Sequence, residues 1–249
     1  MKSLKNLISF LFCVLFMLNA NAAESSLNHV VIVLDASGSM NRFMEKYGVN
    51  RWRAAQGALK EVMKQVTPDT RIGLLVFGSR NLRSDWAYPL APLDTQKLSE
   101  AIDLPIPYGQ TPLGAYIKKG GSALLEARNQ NQGYGTYRLL VVTDGEANDG
   151  DLVDRYVPQV LAHGVTLDVI GVDLANTHTL AKRVSSYKNA NDPSALRKAI
   201  AQVFAEVTNT KGAAGAVDFN FLKPIPFKVI DSMIKGLTKR ADSKEGYWK

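Results

Sequence analysis

The chain has 249 residues, 46% of them hydrophobic, which suits one domain of ordinary size plus an extension. Its formal charge of +7 is spread along the chain, with no dense basic run interleaved with aromatics, so composition argues against nucleic-acid binding. The single cysteine, Cys13, leaves the chain without an internal disulfide.

Met1-Lys2-Ser3-Leu4-Lys5, an apolar run from Leu7 to Leu18, and Asn19-Ala20-Asn21-Ala22 are the three parts of a secretory signal peptide, with cleavage expected after Ala22. The run is short of the roughly 20 residues of a membrane span. The expected product is an exported domain over residues 23–210, periplasmic or secreted, followed by a linker and extension over 211–249. Cleavage removes Cys13, so the core alone must hold the fold.

His29-Val30-Val31-Ile32-Val33-Leu34 reads as a fully buried first strand, short, β-branched and ended by turn residues. After a polar loop, Asn50 is placed to cap a helix with Trp52, Ala55, Leu59, Val62, Met63 and Val66 on one face. Arg71 to Phe77 reads as the second buried strand. Trp86, Tyr88 and Leu90 alternate, and Pro89 and Pro92 confine that stretch to a sheet edge. Leu98 to Leu104 is a short amphipathic helix. Thr111-Pro112 resembles a helix cap followed by proline at the first helical position, and Gly120 and Gly121 in the helix beyond predict close approach to the sheet.

Tyr137 to Val142 reads as the third buried strand. The next helix contains Pro158, which predicts a short or kinked element. Val165 to Val172 is the fourth strong strand, followed by a helical piece from Leu180 to Ser186 and a weak strand from Tyr187 to Ala190. The closing helix has Asp192 as cap, Pro193 at its start, and Leu196, Ile200, Val203, Phe204 and Val207 on its buried face. Buried strands alternating with amphipathic helices imply an α/β fold, a mostly parallel, doubly wound sheet covered on both faces.

In such sheets, ligand sites form beyond the carboxyl ends of the strands. Asp35-Ala36-Ser37-Gly38-Ser39-Met40 places oxygen donors at alternate positions just where the first strand ends. Asp144 follows another strand in Thr143-Asp144-Gly145-Glu146, and Thr111 opens a helix, so three segments bring oxygens to one side of the sheet. Hard cations such as Mg²⁺ take oxygen ligands and keep some waters. Each residue also has an ordinary use: Asp-Gly is a strong turn pair, Thr111 suits a helix cap, and the serines suit hydrogen bonds within their loop.

Together these pieces resemble the metal-ion-dependent adhesion site of the von Willebrand factor A domain, in its bacterial, exported form. Asp35-Ala36-Ser37-Gly38-Ser39 matches the D-x-S-x-S element, Thr111 the threonine before a middle helix, and Asp144 the aspartate after the fourth strand. The resemblance covers about residues 28–208. It implies five parallel strands and one antiparallel edge strand near Trp86–Leu90, with an ion that is usually Mg²⁺, sometimes Mn²⁺ or Ca²⁺. Ser37 and Ser39 would bind the ion directly, and Asp35, Thr111 and Asp144 directly or through water. Three of those five ligands are neutral hydroxyls, so the ion keeps positive charge for an Asp or Glu of a protein partner. Arg42, Phe43, Tyr47, Tyr108 and Glu146 are the candidates for choosing that partner. Pro158 is the departure from the family pattern.

Other functions fare less well. An Asp ending the first strand also opens a D-x-D phosphohydrolase motif, but Ser37 stands where its second carboxylate belongs. His29 and His163 precede strands and fall at the opposite edge, and His178 reads as a surface residue. Asp144 to Arg155 fails as an EF-hand, with Arg155 at its twelfth position, and Asp149, Asp151 and Asp154 read as a solvated helix start. A structural or assembly subunit, whose metal only staples loops, stays open. So does the tail: after the linker Lys211–Gly215, Phe227, Ile230, Met233, Ile234 and Leu237 form an apolar stripe flanked by Lys228, Lys235, Lys239 and Arg240. That stripe suits packing on the domain, a partner or an anionic membrane surface.

Overall fold

The computed structural model describes residues 28–174 and 178–214, with side chains to Glu206. The expected signal segment and the apolar stripe from Phe227 to Leu237 lie outside the described residues. Strands β1 (Asn28–Asp35), β2 (Thr70–Phe77), β3 (Trp86–Pro92), β4 (Thr136–Thr143), β5 (Thr166–Val172) and β6 (Ser186–Ala190) form a six-stranded sheet in the order β3-β2-β1-β4-β5-β6. Neighbours are parallel except β3, which runs antiparallel to β2 at the edge. The helices are α1 (Arg51–Met63), α2 (Thr95–Asp103), α3 (Leu113–Gln130), α4 (Gly150–Ala162) and α5 (Pro193–Ala214).

Side chains alternate across each strand, so one apolar run serves two cores. Val30, Ile32 and Leu34 pack with Leu59, Ile102 and Ile200 on one face. Val31 and Val33 pack with Ile117, Leu124 and Val157 on the other. The chain leaves β1 toward β2 and β3, then returns past β1 to β4. Strand order therefore reverses between β1 and β4, and a crevice forms at their carboxyl ends, beside Asp35 and Asp144.

Several expectations need correction. Thr111 does not cap α3: Pro112 occupies the cap position and its side chain accepts no hydrogen bond, while Asp149 accepts from the Gly114 and Ala115 amides at 2.9 and 2.8 Å. Asp149 thus stands at the start of α4, as expected with the exposed Asp151 and Asp154, but its half-buried carboxylate caps the neighbouring α3. Pro158 neither shortens nor ends α4, which runs for 13 residues. Both Pro158 and Asp154, whose carbonyl loses its amide partner, are exposed, so water can serve that carbonyl while Val153, Val157 and Val160 stay buried. The two α3 glycines divide the predicted close approach. A Cβ on Gly120 would meet Leu139 of the sheet at 2.6 Å, and one on Gly121 would meet Val160 of α4 at 2.6 Å. The piece after β5 is a single 3-10 turn, Thr179–Lys182. Helix α5 continues through the first four residues of the expected linker, Lys211 to Ala214, where two alanines favour helix.

Candidate functional site

The first segment is shaped by close backbone packing. Gly78, just past β2, has φ of +73°, and a Cβ there would lie 2.6 Å from the Ser37 nitrogen. Only glycine allows the loop after β1 to rest so tightly on the end of β2. From the other side, the Tyr108 amide donates to the Ala36 carbonyl at 3.0 Å and the Gly38 amide to the Gly109 carbonyl at 2.9 Å. The loop leading to Thr111 is therefore bonded directly to the D-x-S-x-S turn. Thr111 is also tied to the third segment: its amide donates to Asn148 Oδ1 at 2.6 Å, and the Asn148 amide donates to its carbonyl at 2.9 Å.

The side chains then form one continuous chain of contacts. Asp35 Oδ1 accepts from the Ser37 amide at 2.7 Å, and its Oδ2 accepts from the Thr143 hydroxyl at 2.6 Å. Ser39 Oγ donates to Asp144 Oδ1 at 2.7 Å, and Ser37 and Ser39 hydroxyls lie 2.9 Å apart. With the Ser39 proton on Asp144, both serine oxygens keep lone pairs for a cation. Thr111 is 7% exposed, and its hydroxyl makes no hydrogen bond among the described residues. This all-oxygen set fits a hard dication. Among the described residues no group of three or more His, Cys, Asp and Glu is placed to hold a metal, so the carboxylates Asp35 and Asp144 do not make a site by themselves.

Burial pushes the Asp35 carboxyl up to about 6, and the nearby Asp144 charge adds to the rise, against the Ser37 and Thr143 hydrogen bonds that lower it. Asp144 is compensated by a residue that the sequence reading passed over. Arg51, first residue of α1, reaches Asp144 Oδ2 through Nη1 at 2.7 Å. Its Nε and Nη2 bind the Asp173 carboxylate and carbonyl at 3.0 and 3.1 Å. Burial alone would lower the Arg51 pKa, but the Asp144 and Asp173 hydrogen bonds outweigh it and raise it. The guanidinium is therefore a fixed positive charge at the rim.

His178 also needs correction: it is buried, 2% exposed, and sits against the third segment. Its Nδ1 accepts from the Leu180 amide at 3.0 Å, which leaves the proton on Nε2 to be donated to the Gly145 carbonyl at 2.9 Å. Glu146, a candidate for choosing a partner, is exposed and accepts from the Thr179 amide and hydroxyl at 2.9 and 2.6 Å. Phe43, Tyr47 and Tyr108 do stand exposed, by 65%, 50% and 70%. A cleft of about 790 Å³ lined by Arg42, Phe43, Tyr47, Arg51 and Asp173 opens beside them.

The family model described as von Willebrand factor type A domain matches residues 29–209. No curated protein matches the chain at a significant level. Among solved structures, the chain is similar to a von Willebrand factor type A protein from Catenulispora acidiphila, with 22% identity and a TM-score of 0.59 over 74% of this chain and 43% of that one. It is also similar to proximal thread matrix protein 1 from the mussel byssus, with 20% identity and a TM-score of 0.53 over 73% of this chain and 46% of the other. The match spans less than half the length of either structure, and at these identities the likeness concerns the fold.

Proposed function

The chain belongs to the von Willebrand factor type A domain family, and from that premise we propose that it is an exported, metal-dependent protein-binding module. Asp35, Ser37, Ser39, Thr111 and Asp144 are the residues that would hold the ion, with Mg²⁺ the first choice and Mn²⁺ or Ca²⁺ the others. The reading is carried by the hydrogen-bonded run from Ser37 through Ser39 to Asp144, which joins the first and third segments through oxygens alone. A bound dication supplies an electrophilic position that a partner's Asp or Glu can occupy.

The chain's own charges favour this use. Asp35 and Asp144 are the two carboxylates of the set, and Arg51 already offsets one of them. A dication there stays under-neutralised and attracts an outside carboxylate. Both His178 nitrogens are engaged by backbone groups, so the nearby imidazole has no lone pair for a general base. Binding, without turnover, is the activity assigned.

Crosslinking capture tests the reading. The chain is expected to hold a partner in Mg²⁺ and release it in EDTA, and Asp35→Ala is expected to hold none. Capture that ignores EDTA overturns it. A metal that raises thermal stability while leaving capture unchanged would instead make the ion a staple between loops.

A further inference from the structure

We propose that Arg51 sets the metal preference of the site, by occupying one oxygen of Asp144 so that this carboxylate can offer only the other to an ion. The inference rests on the metal reading above and concerns which dication the site prefers.

Asp144 is enclosed, with its side chain 0% exposed, and its two oxygens face different ways. Oδ1 looks toward the serine hydroxyls, with Ser39 Oγ at 2.7 Å. Oδ2 is held by Arg51 Nη1 at 2.7 Å. The guanidinium cannot easily swing off, because the rest of its fork is engaged. Nε holds the Asp173 carboxylate and Nη2 the Asp173 carbonyl. The backbone beneath is also fixed: the Asp173 amide donates to the Ala190 carbonyl at 2.9 Å, and the Arg51 amide to the Arg42 carbonyl at 3.0 Å. Arg51 itself starts a helix whose cap, Asn50, is in place. The planar fork thus arrives pre-organised from a rigid element.

Asp35 is restricted in a parallel way, with one oxygen on the Ser37 amide and the other on the Thr143 hydroxyl. Neither acid of the set is free to chelate with both oxygens. Ca²⁺ takes six to eight oxygens and commonly recruits a bidentate carboxylate, whereas Mg²⁺ takes six in near-octahedral geometry through single oxygens and water. A site in which neither carboxylate can chelate through both oxygens penalises the larger ion selectively. Simple charge repulsion from Arg51 would instead weaken both dications alike.

The test is calorimetric titration of the full chain with MgCl₂ and with CaCl₂, comparing wild type, Arg51→Gln and Asp173→Asn. The expected result for Arg51→Gln is a ratio of Ca²⁺ to Mg²⁺ dissociation constants at least about tenfold lower than wild type. Asp173→Asn retains Arg51, loosens its anchorage and suits the left-handed backbone at that position, φ of +50°, so it guards against a folding failure of the first variant. It should move the ratio in the same direction by a smaller factor. If both affinities rise in step and the ratio stays within about twofold of wild type, Arg51 acts through charge alone and the inference is overturned. A wild-type chain that binds neither metal overturns the metal reading itself, a result visible before either variant is made.

Discussion

Arg51 and Arg138 make outwardly similar bridges, each with its side chain 13% exposed. Arg51 joins buried Asp144 to the more open Asp173, and Arg138 joins buried Asp168 to the more open Glu206. What differs is the second oxygen of the buried acid. Asp144 Oδ1 receives a proton from Ser39 and begins a run of hydroxyls. Asp168 Oδ1 has no hydrogen-bond partner among the described residues, on a sheet face otherwise filled by Leu140, Ile170 and Ile200. The same ion pair is a brace between strands and α5 in one place and half of a polar site in the other. The environment of the far oxygen decides which.

Removing each arginine tests that difference most forcefully. Arg51→Ala and Arg138→Ala each strand a buried carboxylate, so each is expected to cost about 3–5 kcal/mol in EDTA, measured by urea unfolding. Saturating Mg²⁺ should then separate them. In Arg51→Ala the cation can take over the compensation of Asp144, so Mg²⁺ should stabilise this variant more than wild type. In Arg138→Ala the Mg²⁺ increment should equal that of wild type. Equal increments in both variants would erase the distinction between the two bridges.

The pH dependence is the next largest effect. The folded Asp35 carboxyl titrates at about 6, above its ordinary 3.8, so the fold binds this proton more tightly than the unfolded chain does. For this group, metal-free stability is fully present below about pH 4 and is lost as pH rises through about 6, a decline of about 3 kcal/mol. Burial raises the Asp168 carboxyl too, against the lowering effect of Arg138, so it contributes in the same direction. Mg²⁺ should flatten the Asp35 part and leave the Asp168 part, since Asp168 lies outside the oxygen set. Denaturant midpoints from pH 4 to 8, in EDTA and in Mg²⁺, check this. A decline that Mg²⁺ leaves untouched would separate Asp35 from the ion.

Ser39→Ala would make the rim bridge resemble the interior one, by leaving Asp144 Oδ1 without its donor. The expected stability cost in EDTA is about 1–2 kcal/mol, well below that of losing the arginine. Mg²⁺ affinity, read by calorimetry, should fall by about tenfold or more if the hydroxyl is a ligand. A variant that binds Mg²⁺ like wild type would leave Ser39 only a hydrogen-bond donor.

Local pattern explains why some of this was legible in the sequence. The apolar runs at Val30–Leu34 and Leu139–Val142 become central strands because continuous apolarity is what burial on both faces requires. Asp35, Ser37 and Ser39 could be read from spacing, since the loop that gathers them is itself local. Arg51, Asp149 and His178 could not. Their partners lie 93, 35 and 33 residues away, and nothing in their immediate neighbours marks the pairing. The cap of α3 shows the mechanism of the error. Thr111-Pro112 is a good local cap signal, but tertiary contact supplied the Asp149 carboxylate and left the threonine hydroxyl unengaged.

The smallest expected changes concern the exposed aromatics and carry the comparison from the two bridges to the two ends of the sheet. Phe43 and Tyr108, 65% and 70% exposed, stand by the carboxyl ends of the strands, near the D-x-S-x-S turn. Tyr134, 73% exposed, lies two residues before β4 and so stands at the opposite end. Replacing any of them by alanine should shift stability by no more than about 0.5 kcal/mol, because little buried area is lost. Mg²⁺ affinity should be unchanged in all three, since none belongs to the oxygen set. Capture of a partner in Mg²⁺ should nevertheless weaken for Phe43→Ala and Tyr108→Ala, where an aromatic flanks the incoming carboxylate, and should persist for Tyr134→Ala. Equal capture by all three variants would confine recognition to the ion and its carboxylate; loss in Tyr134→Ala alone would move the binding surface to the other end of the sheet.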